Sequence, residues 1–234
     1  MISVIVSSYK RPWNLDKLIP HLKNNKLISE IIILHGHQDH VKHFDGCRNI
    51  DDWENNKKLF TLCRFNAASL ASNEIVLLND DDFFLSEEFV IKMFDIYQED
   101  TLGFYGTMFR KCNCDGYFLW PKDKNIKDYN IVLPNSSIAS KEVYMNVFKN
   151  MRIPKYTELF EKVITQQGGC EDLFFNRVYA DIYQKKPVFV APWIKGELQK
   201  HTLDKKSGFC SRPEHKTERK EFCKKYFCNN INLK

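Results

Sequence analysis

No stretch of this 234-residue chain holds the roughly 18 to 20 consecutive apolar residues that crossing a bilayer requires. The first residues read as a core strand, not as a charged segment followed by a short apolar one. These absences exclude a membrane span in the chain and imply a soluble protein, cytoplasmic if the chain is complete and luminal if it is a catalytic domain cut from an anchored parent. Charge of one sign is missing as well. The 35 basic and 30 acidic residues, formally +5, are largely intermixed, which excludes a broad basic face and nucleic acid as the partner it would serve. A local basic excess runs only from Lys195 to Lys225, suited either to a phosphate-bearing ligand or to keeping a tail soluble. There is no internal repeat, low-complexity tract or linker, so one body is expected over 1–234. Eight cysteines are too few and too scattered for a disulfide framework in a chain of this length. Cys112 and Cys114 have one residue between them, whereas paired zinc ligands usually have two to four, so no zinc site is expected there.

What is present is a strand and helix alternation. Ile2 to Ser8 is β-rich and apolar; Leu15, Leu18, Ile19 and Leu22 then fall at helical spacing, with Pro12 where a first turn tolerates it. Glu30 to Leu34 supplies a second buried strand. The unit is βαβ, which predicts a parallel sheet with a right-handed crossover. A short helix is expected over Asn66 to Ser72 and a strand over Glu74 to Leu78. Ser86 caps a helix whose apolar face is Phe89, Val90, Met93, Phe94 and Tyr97. The second half reads differently, with a strand over Leu102 to Arg110, a hairpin turn at Asp115-Gly116 and a return over Tyr117 to Trp120. Ser140 caps a helix to about Lys149, another runs from Thr157 to Gln166, Gly168-Gly169 breaks the chain before a helix near Glu171, and Pro187 to Val190 forms a late strand. The class is α/β, with a Rossmann-like mixed sheet flanked by helices.

Three consecutive carboxylates, Asp80, Asp81 and Asp82, follow directly on an apolar strand. They repel one another unless water or a cation relieves them. In open α/β sheets ligands bind beyond the carboxyl ends of the strands, where these three fall. Mg²⁺ or Mn²⁺ prefers carboxylate and phosphate oxygens, so the pattern points to a metal that also binds a diphosphate. The plain alternative is an acidic turn ending a strand.

These residues carry a resemblance. Asp80-Asp81-Asp82 resembles the Asp-x-Asp motif of GT-A (nucleotide-diphospho-sugar transferase) glycosyltransferases; ISVIVSSYKRPWNL resembles their first strand and loop, and RFNAASLASNEIVLLNDDD their approach to the motif. The exostosin-like group, glycosyltransferase family 64, is similar over nearly the whole chain through LGFYGTMFR, GGCEDLFFN and SRPEHKTERKEFCKKYF in the same order. The resemblance implies a GT-A fold, with a nucleotide-binding half over 1–100 and an acceptor-binding half with a C-terminal tail over 101–234. It implies a hexosyltransferase using Mn²⁺ or Mg²⁺, a UDP-sugar donor, with N-acetylhexosamine the best single choice, and a glycan or other hydroxyl acceptor. Asp82 and Asp80 would hold the metal, with Asp80 and Asp81 beside the donor. Tyr9 and Arg11 would border the nucleotide, with Arg64 nearby. Asp172 would be the catalytic carboxylate, and His215 and Arg219 would meet the donor diphosphate. Cys170 and Cys223 match the group's disulfide, which would pin the tail over the donor; reduced, the tail would move.

Several readings stay open. Retention of stereochemistry follows the exostosin-like group, whereas inverting relatives (family 2) would use Asp172 as a base toward the acceptor. A non-catalytic sugar-nucleotide or glycan-binding domain would keep the fold alone. Aromatics such as Tyr117, Phe118, Trp120 and Trp193 either stack on sugar rings or fill the core. Where the group carries Trp-Asn after the second strand, this chain has His35-Gly36-His37-Gln38-Asp39-His40. That run also matches the motif of metallo-β-lactamase-type hydrolases, but only about thirty residues precede it and that fold's later ligand segments are missing, so a polar loop beside the nucleotide pocket is expected.

Overall fold

Near-continuous runs of branched aliphatic residues form strands buried on both faces, and β1 (Ile2–Ser8) is buried along almost its whole length. The computed structural model describes residues 1–118, 129–190, 198–199 and 214–228. From β1 the chain runs through α1 (Leu15–Lys23), β2 (Ile28–His35), β3 (Arg48–Asp51), α2 (Trp53–Leu59), α3 (Cys63–Asn66), β4 (Ile75–Asp80), β5 (Phe84–Leu85), α4 (Glu87–Glu99) and β6 (Tyr105–Gly106). It continues through β7 (Phe109–Asn113), β8 (Gly116–Phe118), β9 (Ile131–Val132), β10 (Ser136–Ser140), α5 (Lys141–Asn150), α6 (Thr157–Thr165), α7 (Glu171–Tyr183), β11 (Val188–Phe189), β12 (Leu198–Gln199) and α8 (His215–Tyr226).

Among the described residues seven strands make the main sheet, in the order β11-β6-β10-β4-β1-β2-β3. Strands β4, β1, β2 and β3 run parallel, and β10 is antiparallel to β4. The period-two alternation of side chains sorts the core into two layers. Val4 and Val6 of β1, Ile31 and Ile33 of β2 and Leu77 of β4 pack with Leu15, Leu18 and Leu22 of α1 and Phe89 and Met93 of α4. The residues between them, Ile5, Ile32, Leu34, Val76 and Leu78, pack on the opposite face with Phe65 of α3, Val143 and Tyr144 of α5 and Phe174 and Phe175 of α7. The result is the expected mixed sheet flanked by helices. Among the described residues no helix is long and apolar enough to cross a membrane.

Ser86 and Ser140 cap α4 and α5 as expected, each accepting from the backbone N–H three residues on. The hairpin also forms, with the Asn113 side chain accepting from Asp115 N–H and Gly116 at φ 132°. Elsewhere the structure differs. The segment expected as one strand over Leu102 to Arg110 divides into β6, in the main sheet, and β7, in a three-stranded sheet with β8 and β9. The helix expected at Asn66 begins earlier, at Cys63, and tightens into a 3₁₀ turn over Ala67–Leu70. β3 and β10 carry few large apolar residues, and their places come from pairing with β2 and β4.

The cysteines require a correction. Cys223 bonds Cys112, Cys114 bonds Cys228, and Cys170 is a buried free thiol at the head of α7. Cys112 of β7 reaches Cys223 of α8, their Cα atoms 5.3 Å apart, and Cys114 in the hairpin turn reaches Cys228, two residues past the end of α8. The two cysteines that are no zinc pair instead fasten the hairpin to α8 and to the residues that follow it.

Candidate functional site

The order of the strands locates a crevice. The chain moves outward from β1 to β2 and β3, then returns to place β4 on the other side of β1. The carboxyl ends of β1 and β4 therefore flank a topological switch point, where the connections on either side leave a gap for a ligand. Tyr9 and Arg11 follow β1, and Asp80 to Asp82 end β4.

A turn shapes the acidic triplet. Buried Asn79 donates its side-chain amide to the carbonyls of both Asp80 and Phe83, at 2.8 and 2.9 Å, and Phe83 N–H closes on Asp80 O at 3.2 Å. The three carboxylates then part. Asp81 turns inward, its side chain 2% exposed, whereas those of Asp80 and Asp82 keep 28% and 19% of their surface. Arg11 reaches both Asp81 and Asp82, and Arg64 of α3 donates to Asp80 Oδ1 at 2.9 Å. These ion pairs set two guanidinium groups against three acids. Burial pushes the Asp81 carboxyl up to about 7 despite Arg11, with Asp80 and Asp82 adding to the rise. Burial likewise raises Asp80 against the pull of Arg64. Burial opposes the charge of Arg11, yet the three aspartates outweigh it and hold the guanidinium above its ordinary value.

A second cluster faces the crevice from the C-terminal half. Gly168, at φ 85° and with no room for a Cβ beside Thr61, ends the turn after α6 and lets α7 begin at Glu171. α7 is buried nearly all round, and Asn176 fixes it to β9 by exchanging two hydrogen bonds with the Val132 backbone, at 3.0 and 2.8 Å. At its head Asp172 accepts from Leu173 N–H at 2.9 Å and forms a buried ion pair with Arg219 of α8. Arg219 also donates to Gly169 O at 3.2 Å and lies 4.5 Å over the Tyr117 ring. His215 begins α8 one turn before Arg219, on the same face. Arg64 joins the clusters, since its charge acts on Glu171 as well as on Asp80. Burial, with Asp172 beside it, raises the Glu171 carboxyl to about 7.

The structure thus gathers Tyr9, Arg11, Arg64, Asp80, Asp81 and Asp82 at one lip and Asp172, His215 and Arg219 at the other. Three features were not legible beforehand. Arg219 is engaged by Asp172. Glu171 is a second, half-buried acid, its signal being only the Glu-Asp pair at a helix start. Tyr117 supplies the face on which Arg219 rests, while Phe118 is exposed at the hairpin end. Trp120 and Trp193 lie outside the described residues.

Beside Tyr9 is a hollow of about 310 Å³ lined also by Gly36, His37, Asp39, Trp53 and Asn56. A Cβ at Gly36 would stand 2.9 Å from the Asn56 amide nitrogen and 3.4 Å from the Tyr9 ring, so the Asn56 side chain would have to shift to admit one. The His35–His40 run is therefore a loop beside this pocket. His35 is buried at the end of β2, while His37 packs edge-on against Tyr9 and contacts His40. A larger groove of about 850 Å³ lies by Glu74, Lys141, Asn146 and Arg152, at the opposite end of β4 from the acids, and carries no comparable cluster.

The model of the family described as "Glycosyl transferase family 64 domain" matches residues 2–232. No curated protein matches the chain. Among solved structures the chain is similar to the crystal structure of S. aureus TarS 1-349, at 14% identity and a TM-score of 0.44. The similarity covers 77% of this chain and 64% of that one, so the chain spans less than two thirds of that structure's length.

Proposed function

This chain belongs to glycosyl transferase family 64 and is a glycosyltransferase, and we propose that it moves a sugar, an N-acetylhexosamine, from a UDP-sugar to a hydroxyl of a glycan with retention of stereochemistry. The observation that carries this reading is the charge imbalance at the switch point: three carboxylates meet two arginines, and the two outer acids, one residue apart, stay open to the crevice. This donor set fits a divalent cation, because partly exposed carboxylate oxygens are the hard ligands that Mn²⁺ and Mg²⁺ take. Asp80 and Asp82 would hold it, and when bound it would neutralise the leaving diphosphate.

The chain's own residues do the rest. Tyr9 and the 310 Å³ hollow border the nucleoside, and the bare backbone at Gly36 allows its close approach. Arg11, bound to the acidic turn, directs positive charge toward the diphosphate. Asp172 is oriented by its ion pair with Arg219, so that it steadies positive charge developing on the sugar or positions the acceptor hydroxyl. With Arg219 paired to Asp172, its support of the diphosphate acts by field across the crevice or by a change of partner when donor arrives. The acceptor binds toward the β7–β8 hairpin, where Phe118 is exposed.

The test is transfer and donor hydrolysis across a panel of UDP-sugars with Mn²⁺, with and without a chelator. Transfer from a UDP-N-acetylhexosamine that is lost on chelation, restored by Mn²⁺ and yields a product of unchanged anomeric configuration is expected. Turnover indifferent to chelation would remove the metal, and an inverted product would assign Asp172 the role of base.

A further inference from the structure

The histidine-rich loop absorbed by no step of this reading ends in a second cluster. His35 closes β2, His43 lies in the loop that follows, and Asp51 closes β3; β2 and β3 are paired so that His35 stands opposite Asp51. One nitrogen of each histidine and a carboxylate oxygen of Asp51 lie within 4.8 Å of one another. His43 Nε2 is 3.1 Å from Asp51 Oδ1, and the rings of His35 and His43 are 5.2 Å apart. His35 is fully buried, and its imidazole is under-used: Nδ1 has no hydrogen-bond partner, and Nε2 makes only a long 3.4 Å contact with the Asn49 side-chain oxygen. A buried polar nitrogen left unmet is costly, and such a group in a cluster of ligating side chains needs a reason.

We propose that His35, His43 and Asp51 form a binding site for a borderline divalent transition metal, zinc being the best fit, distinct from the cation site at the acidic turn. Two imidazoles and one carboxylate suit Zn²⁺, with water completing a tetrahedron, and suit Mg²⁺ or Ca²⁺ poorly. Asn49 supplies the supporting layer: it faces the His35 ring and ties the loop by accepting from Phe44 N–H and donating to the carbonyls of Phe44 and Cys47. Ligands about 2.0–2.1 Å from a tetrahedral zinc sit roughly 3.4 Å apart. The His43–Asp51 pair is already that close, so binding requires the exposed His43 and its loop to draw toward His35. The same loop carries Gly36, His37 and Asp39 into the wall of the hollow beside Tyr9. The metal would therefore hold the wall of that pocket in place.

The experiment is zinc binding to the whole chain, measured by metal content after dialysis and by competition with a chromogenic chelator, for the parent protein, H43A, D51N and D82N. His43 and Asp51 are 57% and 41% exposed in their side chains, so both variants keep the fold. Expected is one zinc per chain retained in the parent and in D82N. H43A and D51N should each weaken it by more than the roughly 10- to 100-fold that loss of an outer-shell partner brings. Cobalt substitution should give a visible absorption band present in D82N and absent from H43A, and zinc should slow proteolysis within residues 36–43 of the parent alone. Equal zinc affinity in the parent and H43A, or loss of the site in D82N with retention in D51N, would overturn the proposal. None of these readouts depends on transfer, so failure here leaves the transferase reading standing.

Discussion

The two disulfides close nearly the same loop, with sequence separations of 111 and 114 residues, and their stabilising effects should overlap rather than add. By the chain-entropy relation, either bond alone restricts the denatured chain by about 5 kcal/mol. Once one is in place the other closes only a further ring of about seven residues, which adds about 2.5 kcal/mol. Opening either bridge alone, in C112A/C223A or C114A/C228A, should therefore cost about 2.5 kcal/mol, with about 1 kcal/mol more for the void left by the buried Cys112–Cys223 pair. Opening both should cost about 8 kcal/mol with the void included, exceeding the sum of the separate losses by about 2 kcal/mol. For a chain of this size the single-bridge variants should melt about 5–10 °C lower and the bridge-free protein about 15–25 °C lower. Urea unfolding of the four proteins measures the cycle directly. Losses that simply add, or one bridge accounting for nearly the whole effect, would refute the overlapping-loop argument. Either outcome would mean that α8 is held to the hairpin chiefly by its packing.

Three further outcomes follow from the site. D172N should still bind UDP but lose transfer, and because it leaves the buried Arg219 charge without its partner it should also lose about 3–5 kcal/mol of stability; normal transfer by this variant, assayed below its melting point, would remove Asp172 from the chemistry. Glu171 has a folded pKa raised from 4.5 to about 7, so the native state holds the proton more tightly than the unfolded chain and stability should fall as pH rises through that window. E171Q should therefore gain on the parent in urea midpoint between pH 5 and pH 8, and a difference constant across that range would contradict the shift. G36A sets a methyl group 2.9 Å from Asn56 and should weaken donor binding, by calorimetry with UDP, about ten-fold with little change in melting temperature; unchanged affinity would exclude the hollow beside Tyr9 as the nucleoside site.

Much of this arrangement was legible in the chain because its signals are local. The βαβ opening rests on an unbroken apolar run and a helical stripe, and Ser86 and Ser140 announce their helices through the oxygen they offer the first turn. The acids ending β4 stood out because three adjacent carboxylates demand relief. What escaped is long-range. β10, reading Ser-Ser-Ile-Ala-Ser, is a strand because β4 and β6 flank it, and β3 because β2 has a free edge. Cysteine pairing depends on which helix lies over which strand, so Cys223 found Cys112 rather than Cys170. For the same reason the run from His35 to His40, read as a polar loop, gave no sign that strand pairing would set His35 opposite Asp51 or that the loop would return His43 beside them.

The hydrogen bonds of Asn79 have one more consequence. A single buried amide holds both ends of the turn that carries the acids, so the three mutually repelling groups are gathered when the protein folds and not when a ligand arrives. A ligand bound there would meet a receptor already in shape, and none of its binding free energy would be diverted into assembling that receptor.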